Sequence, residues 1–305
     1  MKRNRVLDWL AYLVLRVLIA VVQATSLENC QRVSRLVAYA LAHWIPLRRT
    51  TLDTNLKMVI PGITTPQLKA MRVAMWEHLL VMVCEIAQAP RRIHRTNWRD
   101  HFYIREKNAF MKVLMGSQPT ILATGHFGNF ELAGFAVGLF GIQTTTIARP
   151  LDNPYADRYF TRFRSLGGQH MLDKDGSAAP VQMILQSGGT LALLADQHAG
   201  PKGCWENFLG HPASCHKALA LFVLTSGASM IVCYNRRLGK PMQFEMGFTG
   251  IAASSSPGEH LASVRTLTAW YNRRLEEAIH YAPEQYWWVH RRWREPPPRR
   301  STRTA

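Results

Sequence analysis

His126 and Glu131 stand five residues apart in the stretch TILATGHFGNFELAG, residues 120 to 134. An imidazole and a carboxylate are side chains suited to general acid–base chemistry. On a continuous helix this spacing sets them about 140° apart, on different faces. They can meet only if His126 lies in a strand-to-helix turn and Glu131 in the first turn of the helix. Gly125 and Gly128 supply the backbone freedom for that turn. Asn129 is the expected N-cap, and Glu131 suits the positive end of the helix. In this geometry the carboxylate accepts a hydrogen bond from one ring nitrogen and the other nitrogen faces outward as a base. No serine or cysteine stands nearby as a nucleophile. The pair would therefore activate a substrate's own hydroxyl for direct transfer. Spacing alone leaves a satisfied structural histidine equally open.

The elements around this pair follow from periodicity. Residues 28 to about 118 read mostly as helix, because RVSRLVAYALAHWI and TPQLKAMRVAMWEHLLVMVCEIAQA carry apolar positions at helical spacing. Pro61-Gly62 marks a turn between them, and Thr65 is the expected cap ahead of Pro66. From Pro119 onward, short apolar runs (TILATG, TTTIAR, GTLALLAD, SMIVCYNRR and MQFEMGF) alternate with longer amphipathic ones. That grammar predicts an α/β fold, a largely buried mixed sheet flanked by helices. Helices are expected at 130–140, 154–166, 178–187, 214–226 and 260–281. Residues 28–295 read as a single domain, helical over 28–118 and α/β over 119–295. Residues 296–305 read as a disordered Pro/Arg tail.

The first 27 residues read as a membrane-anchor helix. Lys2, Arg3 and Arg5 precede an apolar run interrupted by Asp8 and Arg16, and no small-residue cleavage site closes it. An arginine at the centre of a spanning helix costs about 2.5–3.5 kcal/mol. Asp8, Tyr12, Arg16 and Gln23 fall on one narrow stripe against a wide apolar face. That pattern suits a helix lying in the interface on the cytoplasmic side. A core helix of a soluble domain is the alternative.

Of the 305 residues, Lys and Arg number 37 and Asp and Glu 20, a net charge of +17. A field of this sign attracts anionic lipid, an acidic carrier or nucleic acid, and does not choose among them. The five cysteines include no CxxC pair, which argues against a disulfide framework or structural zinc and fits a reducing compartment. The absence of GxxxxGK and GxGxxG argues against a phosphate-cradling nucleotide loop.

GHFGNFE resembles the histidine-x4-acid motif of the glycerolipid-type (lysophospholipid) acyltransferases, and in particular of the bacterial lipid A biosynthesis acyltransferase family, the lauroyl and myristoyl transferases. Further blocks match in order: ARPLDNPYADRYFTRFRS (148 to 165), LLADQHAG, FLGHPA, and APEQYWWVHRRWR (282 to 294). The likeness runs from roughly residue 6 to 295. It implies a catalytic dyad of His126 and Glu131, with Gly128, Asn129, Arg149, Arg164 and Asp196 binding substrate. It implies transfer of a fatty acyl chain from a thioester on acyl carrier protein or coenzyme A to a glycolipid hydroxyl. No cofactor or metal is implied, and no nucleic acid partner. The implied place is the cytoplasmic face of the inner membrane, among its lipids. His198, where aspartate is common, and Cys215, where threonine is frequent, depart from the family pattern and bear on the acceptor.

Two other classes stay open on the residues alone. A basic binding protein would dock on membranes or nucleic acid without chemistry, and its binding would be salt-sensitive and indifferent to His126. A thioesterase would use water as acceptor. The segment EQYWWVHRRWREPPPRR suits a headgroup layer or base stacking, and equally a packed core around Trp287 and Trp288.

Overall fold

The structure, a computed structural model, describes residues 4–253 and 258–294. The tail expected over 296–305 lies outside the described residues.

The N-terminal region is helical. It comprises α1 (Arg5–Ala24), α2 (Leu27–His43), α3 (Arg49–Val59) and α4 (Thr65–Arg92). The cap of α4 falls on Thr64 rather than Thr65. Gln67 sits three residues on and completes a capping box, while Pro66 needs no amide hydrogen so near the helix start. Two features of this region were not foreseen. α3 is a separate helix, and a short strand β1 (Phe102–Ile104) and α5 (Lys107–Leu114) precede the alternating section.

The alternating section gives β2 (Thr120–Thr124), α6 (Phe130–Leu139), β3 (Thr144–Ala148), α7 (Pro154–Leu166), β4 (Gln169–Asp173), α8 (Ala178–Gln186) and β5 (Thr190–Leu194). A hairpin of β6 (Cys204–Phe208) and β7 (His211–Cys215) follows, then α9 (Ala218–Ser226), β8 (Ser229–Arg237), β9 (Phe244–Ala252) and α10 (Val264–Tyr281). The helix expected from 214 thus starts at Ala218, because residues 211–215 pair with β6 across the hairpin. The helix expected from 260 starts at Val264, where Ser263 caps it.

Among the described residues the main sheet runs β1-β9-β8-β2-β5-β3-β4. Only the β8–β9 pair is antiparallel. Successive residues of β2 feed opposite sides of this sheet. Ile121 and Ala123 join one core with α8, α9 and α10, while Leu122 joins the other with α6 and α7. Burial on both faces explains why β2 reads as an unbroken apolar run.

The polar stripe of α1 faces the protein. Tyr12 stacks on Tyr155 of α7 at 5.9 Å, and the Arg16 guanidinium lies over Tyr159, 5.3 Å from its ring centroid. Gln23 donates to the Ala87 carbonyl of α4 at 2.8 Å. The opposite face, with Leu10, Leu13, Val14, Val17, Leu18 and Val21, is exposed. By length and composition α1 is also able to cross a bilayer.

Candidate active site

β2 and β5 run parallel in register, Thr120 opposite Thr190 and Thr124 opposite Leu194. The register carries past the strand ends, where Ala195 N–H donates to the Thr124 carbonyl at 2.8 Å. Two residues beyond each strand stand His126 and Asp196. Carboxyl ends of neighbouring parallel strands are where open α/β sheets gather functional groups.

Asp196 holds His126 twice. His126 Nδ1 lies 2.8 Å from Asp196 Oδ1, and the His126 backbone N–H donates to Asp196 Oδ2 at 2.8 Å. Burial would raise the pKa of Asp196, which is 3% exposed. The His126 ring, its two hydrogen bonds and Arg292 nearby outweigh that and hold the carboxyl below its usual range. An ionised Asp196 accepts the proton of Nδ1 and leaves Nε2 as the basic nitrogen. Nε2 faces the Gln197 side-chain nitrogen at 3.2 Å, an amide N–H donating to the ring lone pair.

Glu131 has a different partner from the one its spacing suggested. It lies in the first turn of α6, and Arg164 of α7 grips it bidentately. Nε reaches Oε2 at 3.0 Å and Nη2 reaches Oε1 at 2.6 Å. A guanidinium matches a carboxylate in two parallel bonds, which an imidazole cannot do. His126 therefore meets a carboxylate from the neighbouring strand, and Glu131 meets a cation from the neighbouring helix.

The backbone groups expected near a developing oxyanion are also committed elsewhere. Gly128 N–H donates to the Gln285 carbonyl at 3.0 Å, and Asn129 N–H to the Asn235 carbonyl at 2.9 Å. Their work is to build the turn. Gly128 has φ of 59°, and a Cβ there would lie 2.0 Å from the Asn235 carbonyl oxygen. Asn129 caps α6 by accepting from Leu132 N–H at 3.1 Å, and donates to Glu85 at 2.9 Å. Glu85 is wholly buried on α4 and is paired with Arg237 at 2.6 Å. Arg149 lies apart from this cluster, exposed and paired with Asp152 at 3.3 Å.

Residues that sequence reasoning did not assign complete the site. Trp287 packs its ring 4.7 Å from that of His126, and the Trp287 backbone N–H donates to the His126 carbonyl at 3.0 Å. Arg292, 1% exposed, donates to the carbonyls of Gln197 (3.3 Å) and Ser214, tying the β5 and β7 ends together. Both belong to the APEQYWWVHRRWR block, so their signal was present as likeness without a contact to attach it to.

Phe130 packs on His126 at 4.9 Å and, with Glu131 and Arg164, lines a cavity of about 150 Å³. Leu122, Val137, Ile147, Ala192 and Leu194 provide its apolar wall. The apolar wall is suited to hydrocarbon, with the Glu131–Arg164 pair at its polar side. Among the described residues, no three His, Cys, Asp or Glu side chains gather as a metal site.

This assembly joins an oriented histidine, a buried carboxylate, an ion pair and a largely apolar cavity. It can take a proton from a hydroxyl beside an acyl chain. Residues 2–295 match the family model described as bacterial lipid A biosynthesis acyltransferase. The chain is 27% identical over 261 residues to the lipid A biosynthesis lauroyltransferase of Escherichia coli K12, covering 82% of this chain and 80% of that protein. It is 26% identical over 203 residues to the lipid A biosynthesis palmitoleoyltransferase of the same strain, covering 65% of this chain and 63% of that one. A lipid A biosynthesis acyltransferase of Shigella flexneri matches to the same extent.

Proposed function

Taking as premise that this chain belongs to the bacterial lipid A biosynthesis acyltransferase family, and is an acyltransferase, we propose how its residues carry out the transfer. The donor is an acyl thioester on acyl carrier protein or coenzyme A, and the acceptor is a hydroxyl of a glycolipid such as a lipid A precursor. The fatty chain lies in the cavity walled by Leu122, Val137, Ile147 and Leu194. The acceptor hydroxyl displaces Gln197 from Nε2 of His126. His126 takes its proton as the oxygen attacks the thioester carbonyl, and the collapsing intermediate expels the thiolate. The proton on the imidazolium then passes to that leaving group. Asp196 stabilises the imidazolium and fixes the tautomer.

Glu131 acts through Arg164. Arg164 spends Nε and Nη2 on Glu131, and its Nη1 carries two further N–H donors. We place these at the carbonyl oxygen as it gains charge, a term worth roughly 2.7–4 kcal/mol per donor in other enzymes. A single observation carries the proposal. An oriented histidine, paired with a buried carboxylate at 2.8 Å, packs on the same Phe130 that lines the apolar cavity.

The protein works on the cytoplasmic face of the inner membrane. The exposed apolar face of α1 supports this, because the polar stripe that would be costly in lipid is packed on α4 and α7. No resident cofactor is needed, since the thioester is itself the activated co-substrate. The test is product analysis by mass spectrometry with an acyl thioester and a glycolipid acceptor. Acylated glycolipid supports transfer. Free fatty acid alone, with the acceptor unchanged, would mean that water is the acceptor.

A further inference from the structure

On the side of His126 marked by Gln197 and Trp287 lies a second, larger hollow of about 480 Å³. Arg48, Arg291 and Arg294 line it together with His290, Gln197 and Trp287, and its lining includes no carboxylate. Among the described residues none of the three guanidiniums forms an ion pair. Arg72, Arg164 and Arg237 are matched to Asp53, Glu131 and Glu85, and buried Arg292 is held by carbonyls, whereas the three arginines of the hollow are exposed. The Nδ1 atom of His290 is buried with no hydrogen-bond partner. A concave site with three guanidiniums outside any ion pair and no carboxylate presents fork-shaped donors to a tetrahedral oxyanion.

We propose that this hollow is a phosphate-binding subsite, in which Arg48, Arg291 and Arg294 hold a phosphate group of a substrate whose hydroxyl or thioester lies at His126. The subsite rests on the acyl-transfer reading and deepens it. His126 stands between two chemically opposite spaces. Phe130 and Glu131 lead to the apolar cavity, and Trp287 and Gln197 lead to the basic hollow. An amphiphile with a hydrocarbon part and a phosphorylated part is divided by this arrangement at the reacting atom. Burial is the main cause that brings the His290 pKa down to about 4; the Asp196 carboxylate opposes it, and the charges of His126, Arg292 and Arg294 add to it. Two substrates carry such a group: a phosphorylated glycolipid acceptor, and the phosphodiester of a phosphopantetheine-linked donor.

The experiment compares the wild-type chain with Arg291→Gln/Arg294→Gln, two exposed positions where folding is not at stake. Inorganic phosphate is titrated at constant ionic strength against chloride and followed by tryptophan fluorescence, since Trp287 lines the hollow. We expect saturable binding in the wild type, weakened at least tenfold in the variant. Equal affinity in the two proteins, or no response beyond that to chloride, overturns the subsite. Steady-state kinetics then separate the sources. A tenfold or greater rise in KM for the phosphorylated acceptor, absent for the same acceptor after phosphatase treatment, assigns the acceptor's phosphate. A like rise in KM for the thioester assigns the donor's. Both KM values within twofold of wild type would overturn the assignment. If the wild type transfers no acyl group yet phosphate binding still separates the two proteins, the functional reading fails and the anion subsite stands.

Discussion

His126 and Asp196 occupy equivalent positions on two neighbouring strands, each two residues past a strand end, and join at 2.8 Å. The register of β2 against β5 makes this contact between residues 70 positions apart, and the intervening chain serves to bring β5 back beside β2. A parallel ladder fixes the separation of its strand ends as rigidly as a helix fixes i and i+4. The imidazole is thus oriented by the sheet, and the ion pair at the cavity by the packing of α6 on α7.

Replacing Asp196 by Asn keeps the shape and removes the charge. The amide can donate a hydrogen to Nδ1, which would place the ring proton on Nε2 and leave the wrong nitrogen basic. We expect transfer rates to fall about 100-fold or more, within the range that general-base catalysis contributes. Turnover of Asp196→Asn measured beside a circular dichroism spectrum checks this, and an active variant would assign the orienting role elsewhere.

Gly125 leaves room for that carboxylate. A Cβ there would stand 3.2 Å from Asp196 Cγ, tighter than ordinary packing. Gly125→Ala should therefore displace Asp196 and lower turnover at least tenfold with the fold retained. Unchanged kinetics would show that the contact yields without moving the histidine.

The Glu131–Arg164 pair should behave as a unit. Its side chains are only 16% and 23% exposed. Removing one partner leaves the other charge stranded, at a cost of about 3 kcal/mol, the lower end for buried pairs because some solvent reaches this one. Glu131→Gln and Arg164→Gln should each destabilise. The double variant should lose less than the sum in denaturant melts, while its activity stays lost. Additive losses would mean that the two side chains do not depend on each other.

The acid limb of stability carries a His290 component. An unfolded histidine takes up a proton near pH 6.5, whereas burial delays that in the folded chain to about pH 4. The unfolded state binds more protons across this window, so stability falls as the pH drops from 6.5 towards 4. Melting temperatures measured from pH 7.5 to 4.5 should fall less steeply in His290→Gln. Parallel slopes would remove His290 from the account.

Val14→Lys with Leu18→Lys places two charges on the exposed face of α1. Vesicle co-sedimentation should drop several-fold, with catalysis on a detergent-dispersed acceptor kept. Undiminished binding would point to another anchor.

Much of the fold was legible because burial on both faces of β2, β5 and β8 writes itself as apolar runs, and Asn129 and Gly128 mark the turn after β2. The short strands β1 and β4 and the β6–β7 hairpin were not, since half-exposed strands such as CWENF and HPASC lack a clean alternation. At the site, His126, Asp196, Glu131 and Arg164 were all singled out, but two of the pairings were not. Spacing along the chain suggested His126 with Glu131, and sheet register supplied Asp196 in its place. Glu85, an acid within the apolar helix α4, was a visible signal of a buried network that no local rule connects to Asn129.

The central claim is that His126, held by Asp196, takes the acceptor's proton. The most direct measurement is acyl transfer to a glycolipid acceptor by purified His126→Gln, folded by circular dichroism, with substrate concentrations saturating for the wild type. A loss of at least 100-fold in kcat is the predicted result. A kcat within twofold of wild type would contradict it.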